Sequence, residues 1–221
     1  MRILSTKKLK SNQKQFLLNA GLTVIEADFI LTTAVPFEID ITHDYLLFTS
    51  QNAVESVLQN GRFETLKDKS CFCVGIKTKD LLERLGFQVI EFTDYASELA
   101  AVIVKKYPTS TFTFFSGNIR RDTLPEALRN GNITFNEITV YETHLTSHKI
   151  TPSLDGILFY SPSGIDSYLK ENQITNEMCI CIGTTTASAL EGITENIVLA
   201  NQPTVENVII QTLKYFNKNV D

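Results

Sequence analysis

Four apolar residues, Tyr45 to Phe48, run directly into the short polar residues Thr49, Ser50, Gln51 and Asn52, after which Ala53, Val54, Val57 and Leu58 recur at helical spacing. An unbroken apolar run predicts a strand buried on both faces, as in a parallel sheet. The polar turn then presents hydroxyls and unpaired N–H groups at a helix N-terminus, an arrangement suited to an anion. The same order returns at Ile157 to Leu169, where an apolar strand ends in Ser161, Pro162, Ser163 and Gly164 before the next helix.

The rest of the chain has the same grammar. Strands are predicted at 2–5, 22–27, 45–48, 71–74, 87–92, 111–115, 156–160, 178–182 and 196–200. Helices are predicted at 8–20, 52–59, 78–85, 97–107, 120–129, 163–170, 186–191 and 204–216, the first of them stopped by Gly21. Segments 29–41 and 133–143 carry β-branched residues without helical period and read as extended. Strands alternating with helices imply an α/β fold with parallel sheets flanked by helices.

An internal repeat organises these units. Val74-Gly75 with Thr78 answers Ile182-Gly183 with Thr186, and Ser97-Glu98 answers Val205-Glu206, both at a spacing of 108 residues. Two similar lobes are therefore expected. Residues 1–28 have no sheet of their own, so they are assigned to the later lobe: residues 1–30 and 148–221 form one discontinuous lobe, 44–137 the other, and 31–43 with 138–147 a two-stranded extended linker. A ligand cleft is expected between the lobes, at the carboxyl ends of the strands.

With 43% hydrophobic and 20% charged residues, the 221-residue chain has the balance of a globular protein. A net charge of −5 argues against nucleic acid as a partner. No apolar run reaches membrane-spanning length and the basic start lacks an apolar signal region, so a cytoplasmic protein is expected. Cys71, Cys73, Cys179 and Cys181 form two C-x-C pairs inside strands without histidine at ligand spacing. They read as small buried hydrophobes rather than as a metal centre.

The candidate chemistry lies in the turns. Thr49, Ser50, Gln51 and Asn52; Gly75 and Thr78; Ser116, Gly117, Asn118 and Arg120; Ser161, Ser163 and Gly164; Thr184, Thr185 and Thr186; and Thr204 all sit at predicted strand ends or helix starts. Singly, each is an ordinary cap. Collected on one edge, they would offer many donors to a ligand with several negative groups. His43, His144 and His148 fall in the crossing segments and form no catalytic set; no nucleophile elbow, Walker loop or dinucleotide fingerprint is present. In the second crossing segment Tyr141 is either a packing aromatic or a phenol able to donate a proton at the cleft.

Phe48-Thr49-Ser50-Gln51-Asn52-Ala53-Val54, Val74-Gly75-Ile76-Lys77-Thr78, Ser116-Gly117-Asn118-Ile119-Arg120-Arg121, Val140-Tyr141-Glu142-Thr143, Phe159 to Ile165, Ile182 to Ala187 and Pro203-Thr204-Val205-Glu206 together resemble, in order, the uroporphyrinogen-III synthase family. The resemblance spans nearly the whole chain. It implies a cofactor-independent lyase acting on hydroxymethylbilane, a linear tetrapyrrole with eight carboxylates, with inversion of ring D and closure to uroporphyrinogen III. It further implies substrate recognition by turn amides and hydroxyls, Tyr141 as the acid assisting loss of hydroxide, a monomer, and a transient contact with the preceding pathway enzyme. Lys7, Lys77 and Thr184 depart from residues common in the family. The competing readings are a non-enzymatic two-lobed binder of a small anion or sugar, and a signalling module; the latter would need an acidic pocket where this chain has Thr, Ser and Gly.

Overall fold

The computed structural model describes residues 1–40, 43–61 and 63–217. Ile41 and Thr42, at the end of the first expected linker segment, lie outside the described residues. In chain order the elements begin with β1 (Arg2–Ser5), α1 (Ser11–Asn19), β2 (Thr23–Glu26), β3 (Ile30–Ala34), β4 (Tyr45–Phe48), α2 (Gln51–Leu58), α3 (Phe63–Leu66) and β5 (Ser70–Val74). They continue with α4 (Ile76–Arg84), β6 (Val89–Thr93), α5 (Ala96–Lys106), β7 (Thr111–Gly117), α6 (Thr123–Asn130) and β8 (Thr134–Leu145). The last are β9 (Gly156–Phe159), α7 (Pro162–Leu169), β10 (Met178–Cys181), α8 (Thr184–Ala187), β11 (Ile197–Leu199) and α9 (Val205–Asn217).

The chain divides into two compact units, residues 1–31 with 144–221 and residues 32–143. In the second unit the strands run in the order β3-β8-β7-β4-β5-β6, and β8 through β6 are mutually parallel. Alternation along the central strands divides the core between the two faces. Leu46 and Phe48 of β4, with Phe115 of β7, pack beneath Ala53, Val54 and Val57 of α2 and Leu82 of α4. Leu47, Phe112 and Phe114 point the other way, against Leu99 and Ile103 of α5 and Leu124 and Leu128 of α6. Strands buried on both faces have no polar side to show, which is why their sequences read as continuous apolar runs.

The first unit holds a five-stranded parallel sheet in the order β11-β10-β9-β1-β2. Placed beside β6-β5-β4-β7-β8, it shows what the repeat means. Strands β9, β10 and β11 follow each other as β4, β5 and β6 do, but the strand on the far side of β9 is β1, from the start of the chain, whereas β4 is flanked by β7, from later in its own unit. The two sheets are thus related by circular permutation, with β1-α1-β2 standing where β7-α6-β8 stands. In each sheet the direction of winding reverses at one seam, β4/β7 in one and β9/β1 in the other, and in open parallel sheets ligands bind outside the carboxyl ends at such a seam.

The expected linker segments contain β3 and the end of β8. β8 is a 12-residue strand hydrogen-bonded to β7 from Thr134 onward, and β3 lies on the outer edge of β8. Bonds from Val35 N–H to the Val140 carbonyl (3.1 Å) and from Thr146 N–H to the Phe29 carbonyl (2.9 Å) run in opposite order along the two segments, so β3 is antiparallel to β8. The chain passes from one unit to the other along both strands. α1 begins at Ser11 rather than residue 8: Lys10 is its extended N-cap, with its N–H held by Gln13 Oε1, while the N–H groups of Lys8 and Leu9 donate to Asp28 Oδ1 and Glu26 Oε1 and tie this segment to the end of β2.

Candidate functional site

At the β4/β7 seam, Phe48 gives way to Thr49 and Ser50, both half-buried. Ser50 caps α2, its Oγ accepting the Asn52 N–H at 3.1 Å. Gln51 reaches sideways and donates from Nε2 to the Lys77 carbonyl at 3.2 Å, which fastens this turn to the next one. There Gly75 has φ +86°, a conformation that a Cβ would strain, and its N–H is bound to the Thr93 carbonyl at 2.8 Å. Thr78 is buried beside Gly75.

Across the seam, β7 ends in Ser116 and Gly117. Ser116 is 2% exposed and, among the described residues, its Oγ has no hydrogen-bond partner. Buried hydroxyls are seldom left so. The neighbouring strand is irregular at this point: Ser116 pairs with Thr139 but Gly117 with Tyr141, so β8 contains one extra residue there. Such a bulge re-aims side chains. Val140 and Tyr141, consecutive in sequence, consequently both join the core face containing Phe48, Ala53 and Phe115. Tyr141 is 8% exposed, and its ring lies directly over Gly117.

Asn118 ties the end of β7 to β8. Its N–H donates to the Tyr141 carbonyl at 3.1 Å, and its Oδ1 accepts the N–H groups of Ile119 and Thr143, each at 2.8 Å. Arg120 is engaged by carboxylates of this chain. Nε and Nη2 donate to Glu137 in bidentate fashion and Nη1 to Asp122 at 2.6 Å. These bonds, that to Glu137 first, raise the guanidinium pKa further, while the bond from Arg120 holds the Asp122 carboxyl below the usual carboxylate range.

The β9/β1 seam of the other unit is built similarly. Ser161 caps α7, accepting the Gly164 N–H at 3.1 Å, with the Ser163 hydroxyl 3.4 Å away. Thr6 donates to the Leu158 carbonyl at 2.7 Å, and Ser5 Oγ lies 2.6 Å from the Lys7 carbonyl and 3.2 Å from Tyr160 Oη. Burial pushes the Tyr160 phenol pKa well up, so this group stays protonated, and the Lys7 ammonium sits 5.8 Å from its ring centroid. Ser5, Thr6, Lys7 and Tyr160 were not among the residues singled out from sequence. Their signal is the permutation: β1 occupies the position of β7, so Ser5, Thr6 and Lys7 lie at the carboxyl end of a seam strand, as Ser116 and Gly117 do.

Further along the same edge, Thr186 is buried, its N–H bound to the Gly183 carbonyl at 3.0 Å, while Thr185 is half-buried and Thr184 is exposed. Thr204 caps α9, its Oγ1 accepting from the Asn207 N–H at 3.2 Å and Nδ2 at 3.1 Å. The sheets therefore bring the sequence-selected residues of residues 49–141 to one edge, and those of residues 161–204 to the corresponding edge of the other sheet. Cys71, Cys73, Cys179 and Cys181 are buried free thiols, and burial raises the pKa of every one. Among the described residues no cluster of three or more His, Cys, Asp or Glu is placed to hold a metal ion, and no helix is long and apolar enough to cross a membrane.

The family model described as uroporphyrinogen-III synthase HemD matches residues 13–210. The uroporphyrinogen-III synthase of Saccharomyces cerevisiae is 31% identical over 119 residues, a match that spans 46% of this chain and only 43% of the yeast protein. That of Chlorobaculum parvum is 27% identical over 195 residues, 76% of this chain and 79% of that protein. Among solved structures, uroporphyrinogen-III synthetase from Helicobacter pylori superposes with a TM-score of 0.72 at 20% identity, covering 97% of this chain and 100% of that one. A mutant uroporphyrinogen-III synthase from Thermus thermophilus gives 0.69 at 15% identity, covering 99% of each chain. At these identities the superpositions speak for the fold.

Proposed function

Because the chain belongs to the uroporphyrinogen-III synthase family, we propose that it converts hydroxymethylbilane into uroporphyrinogen III, as a cofactor-independent lyase of tetrapyrrole and haem biosynthesis. The observation that carries this reading is the bulge in β8, which sets the Tyr141 phenol over Gly117 at the carboxyl end of β7, beside the polar turn that follows β4. A proton donor and a set of neutral hydrogen-bond donors then share one sheet edge.

In the proposed reaction the Tyr141 hydroxyl protonates the hydroxyl of the substrate's hydroxymethyl group as the C–O bond breaks and water leaves. The electron-rich pyrrole supplies the electrons, and the resulting cationic carbon is attacked by the substituted carbon of ring D. The spiro intermediate reopens and closes in the inverted sense. The proton released when the last pyrrole regains aromaticity returns to the phenolate. Atoms and charge balance with the net loss of one water, and no electron acceptor is needed.

Hydroxymethylbilane also closes unaided to the isomer without inversion, so the protein has to impose geometry more than reactivity. Ser161, Ser163, Gly164, Thr184, Thr185, Thr186 and Thr204 form one proposed carboxylate-binding set, on their own unit, and Thr49, Ser50, Gln51, Asn52, Gly75, Thr78, Ser116, Gly117 and Asn118 form another on theirs; amides and hydroxyls hold anions without titrating near neutrality. Arg120 belongs to this set only if a substrate carboxylate shares or displaces Glu137 or Asp122. The test is to supply the purified protein with freshly generated hydroxymethylbilane and to compare it with Tyr141→Phe. Isomer III from the wild type, and turnover lower by more than about tenfold in a folded variant, are expected. Unchanged turnover in Tyr141→Phe would return Tyr141 to a packing role.

A further inference from the structure

We infer that Gly117 is a positioning residue, whose missing side chain makes the seat for the Tyr141 ring. This rests on the role proposed for Tyr141 and specifies how the fold holds that group. A Cβ at Gly117 would lie 2.5 Å from Tyr141 Cε2 and 2.8 Å from Oη, and would press on Cζ as well. Real Cβ atoms do not approach other heavy atoms so closely, so either the ring or the strand would have to move. Gly117 is not in the left-handed region, and its need for glycine comes from this contact alone.

The ring has little room to retreat. Tyr141 is 8% exposed, and the core on its face contains Phe48, Phe115 and Val140, the last placed there by the same bulge. Backbone bonds fix the strand as well. The Asn118 N–H holds the Tyr141 carbonyl, and Asn118 Oδ1 holds the Thr143 N–H, so the two strands are clamped on the carboxyl side of the bulge. Glycine at 117, the bulge and the Asn118 clamp thus act on one object, the position of the phenol.

Gly117→Ala tests this with two separate readouts. Incorporation of 3-fluorotyrosine reports ring environments, and the Tyr141 signal is identified by its loss in Tyr141→Phe; the chain has 7 tyrosines. The Tyr141 line is expected to move more than the others in Gly117→Ala, and an unmoved line overturns the seat. In isomer III formation, kcat is expected to fall about tenfold with KM changed less than about twofold. A raised KM at unchanged kcat would mean that the added methyl group intrudes on substrate rather than on the ring, and would overturn the inference.

Should Gly117→Ala fail to fold, the double variant Gly117→Ala/Tyr141→Ala decides. Folding restored by removing the ring supports the seat, and failure in both backgrounds overturns it. The reading of Tyr141 as the acid fails separately, through full turnover of Tyr141→Phe, while the fluorine line still reports the seat.

Discussion

The Arg120 clamp allows the sharpest separation between a residue that builds the site and one that binds in it. Its guanidinium makes three bonds to carboxylates, two of them to Glu137. The Arg120 and Glu137 side chains are 23% and 21% exposed, whereas Asp122 is 68% exposed. A hydrogen bond between charged groups contributes about 1.5–3 kcal/mol net when substantially shielded, and a surface pair about 0–1 kcal/mol. Some of the bidentate gain is offset by desolvation, so Arg120→Gln should cost about 2–3 kcal/mol, nearly all of it through Glu137. Urea denaturation of Arg120→Gln, Glu137→Gln and the double variant, read as a double-mutant cycle, should give a coupling energy of about 1.5–3 kcal/mol. Because the clamp holds the segment between β7 and α6, KM for hydroxymethylbilane should rise less than about threefold. Zero coupling together with a KM raised about tenfold or more would refute this reasoning, and would mean that the guanidinium serves substrate in solution.

Two further outcomes follow from the same geometry. In the native protein the four thiols should resist alkylation at pH 8 and react together once the protein is unfolded; burial raises each pKa, to about 12 for Cys73, Cys179 and Cys181, so stability present below the unfolded-state value near 9 should be lost as pH rises toward 12. A thiol that reacts rapidly in the native state would contradict its placement in the core. Gly75→Ala should destabilise by about 1–3 kcal/mol, since it forces a side chain into φ +86°; a neutral result in thermal unfolding would show that the turn relaxes.

Much of this architecture was legible in the chain because parallel strands buried on both faces leave unbroken apolar runs, and each run ends in a polar turn. The run Tyr45 to Phe48 with the Ser50 cap, and its counterpart Gly156 to Phe159 with the Ser161 cap, are the plainest cases. What escaped the sequence depends on partners distant along it. Nothing local in Thr139-Val140-Tyr141 marks a bulge, which exists only relative to Ser116 and Gly117 of β7.

The engagement of Arg120 has the same origin, since Glu137 lies on β8 and the pair becomes evident only when that strand joins β7. Likewise Ser5 and Thr6 look like the end of a short first strand until β1 is found beside β9. The helix starts at Ser11 and not at residue 8, and periodicity alone cannot show this, since Lys8 and Leu9 are held by Asp28 and Glu26, some twenty residues on.

The isomer produced tests the proposed activity most directly. Purified protein supplied with freshly generated hydroxymethylbilane, quenched over a time course and oxidised for chromatography beside a protein-free blank, should give predominantly the type III isomer faster than the blank closes. Only the type I isomer, accumulating at the rate of the blank, would contradict it.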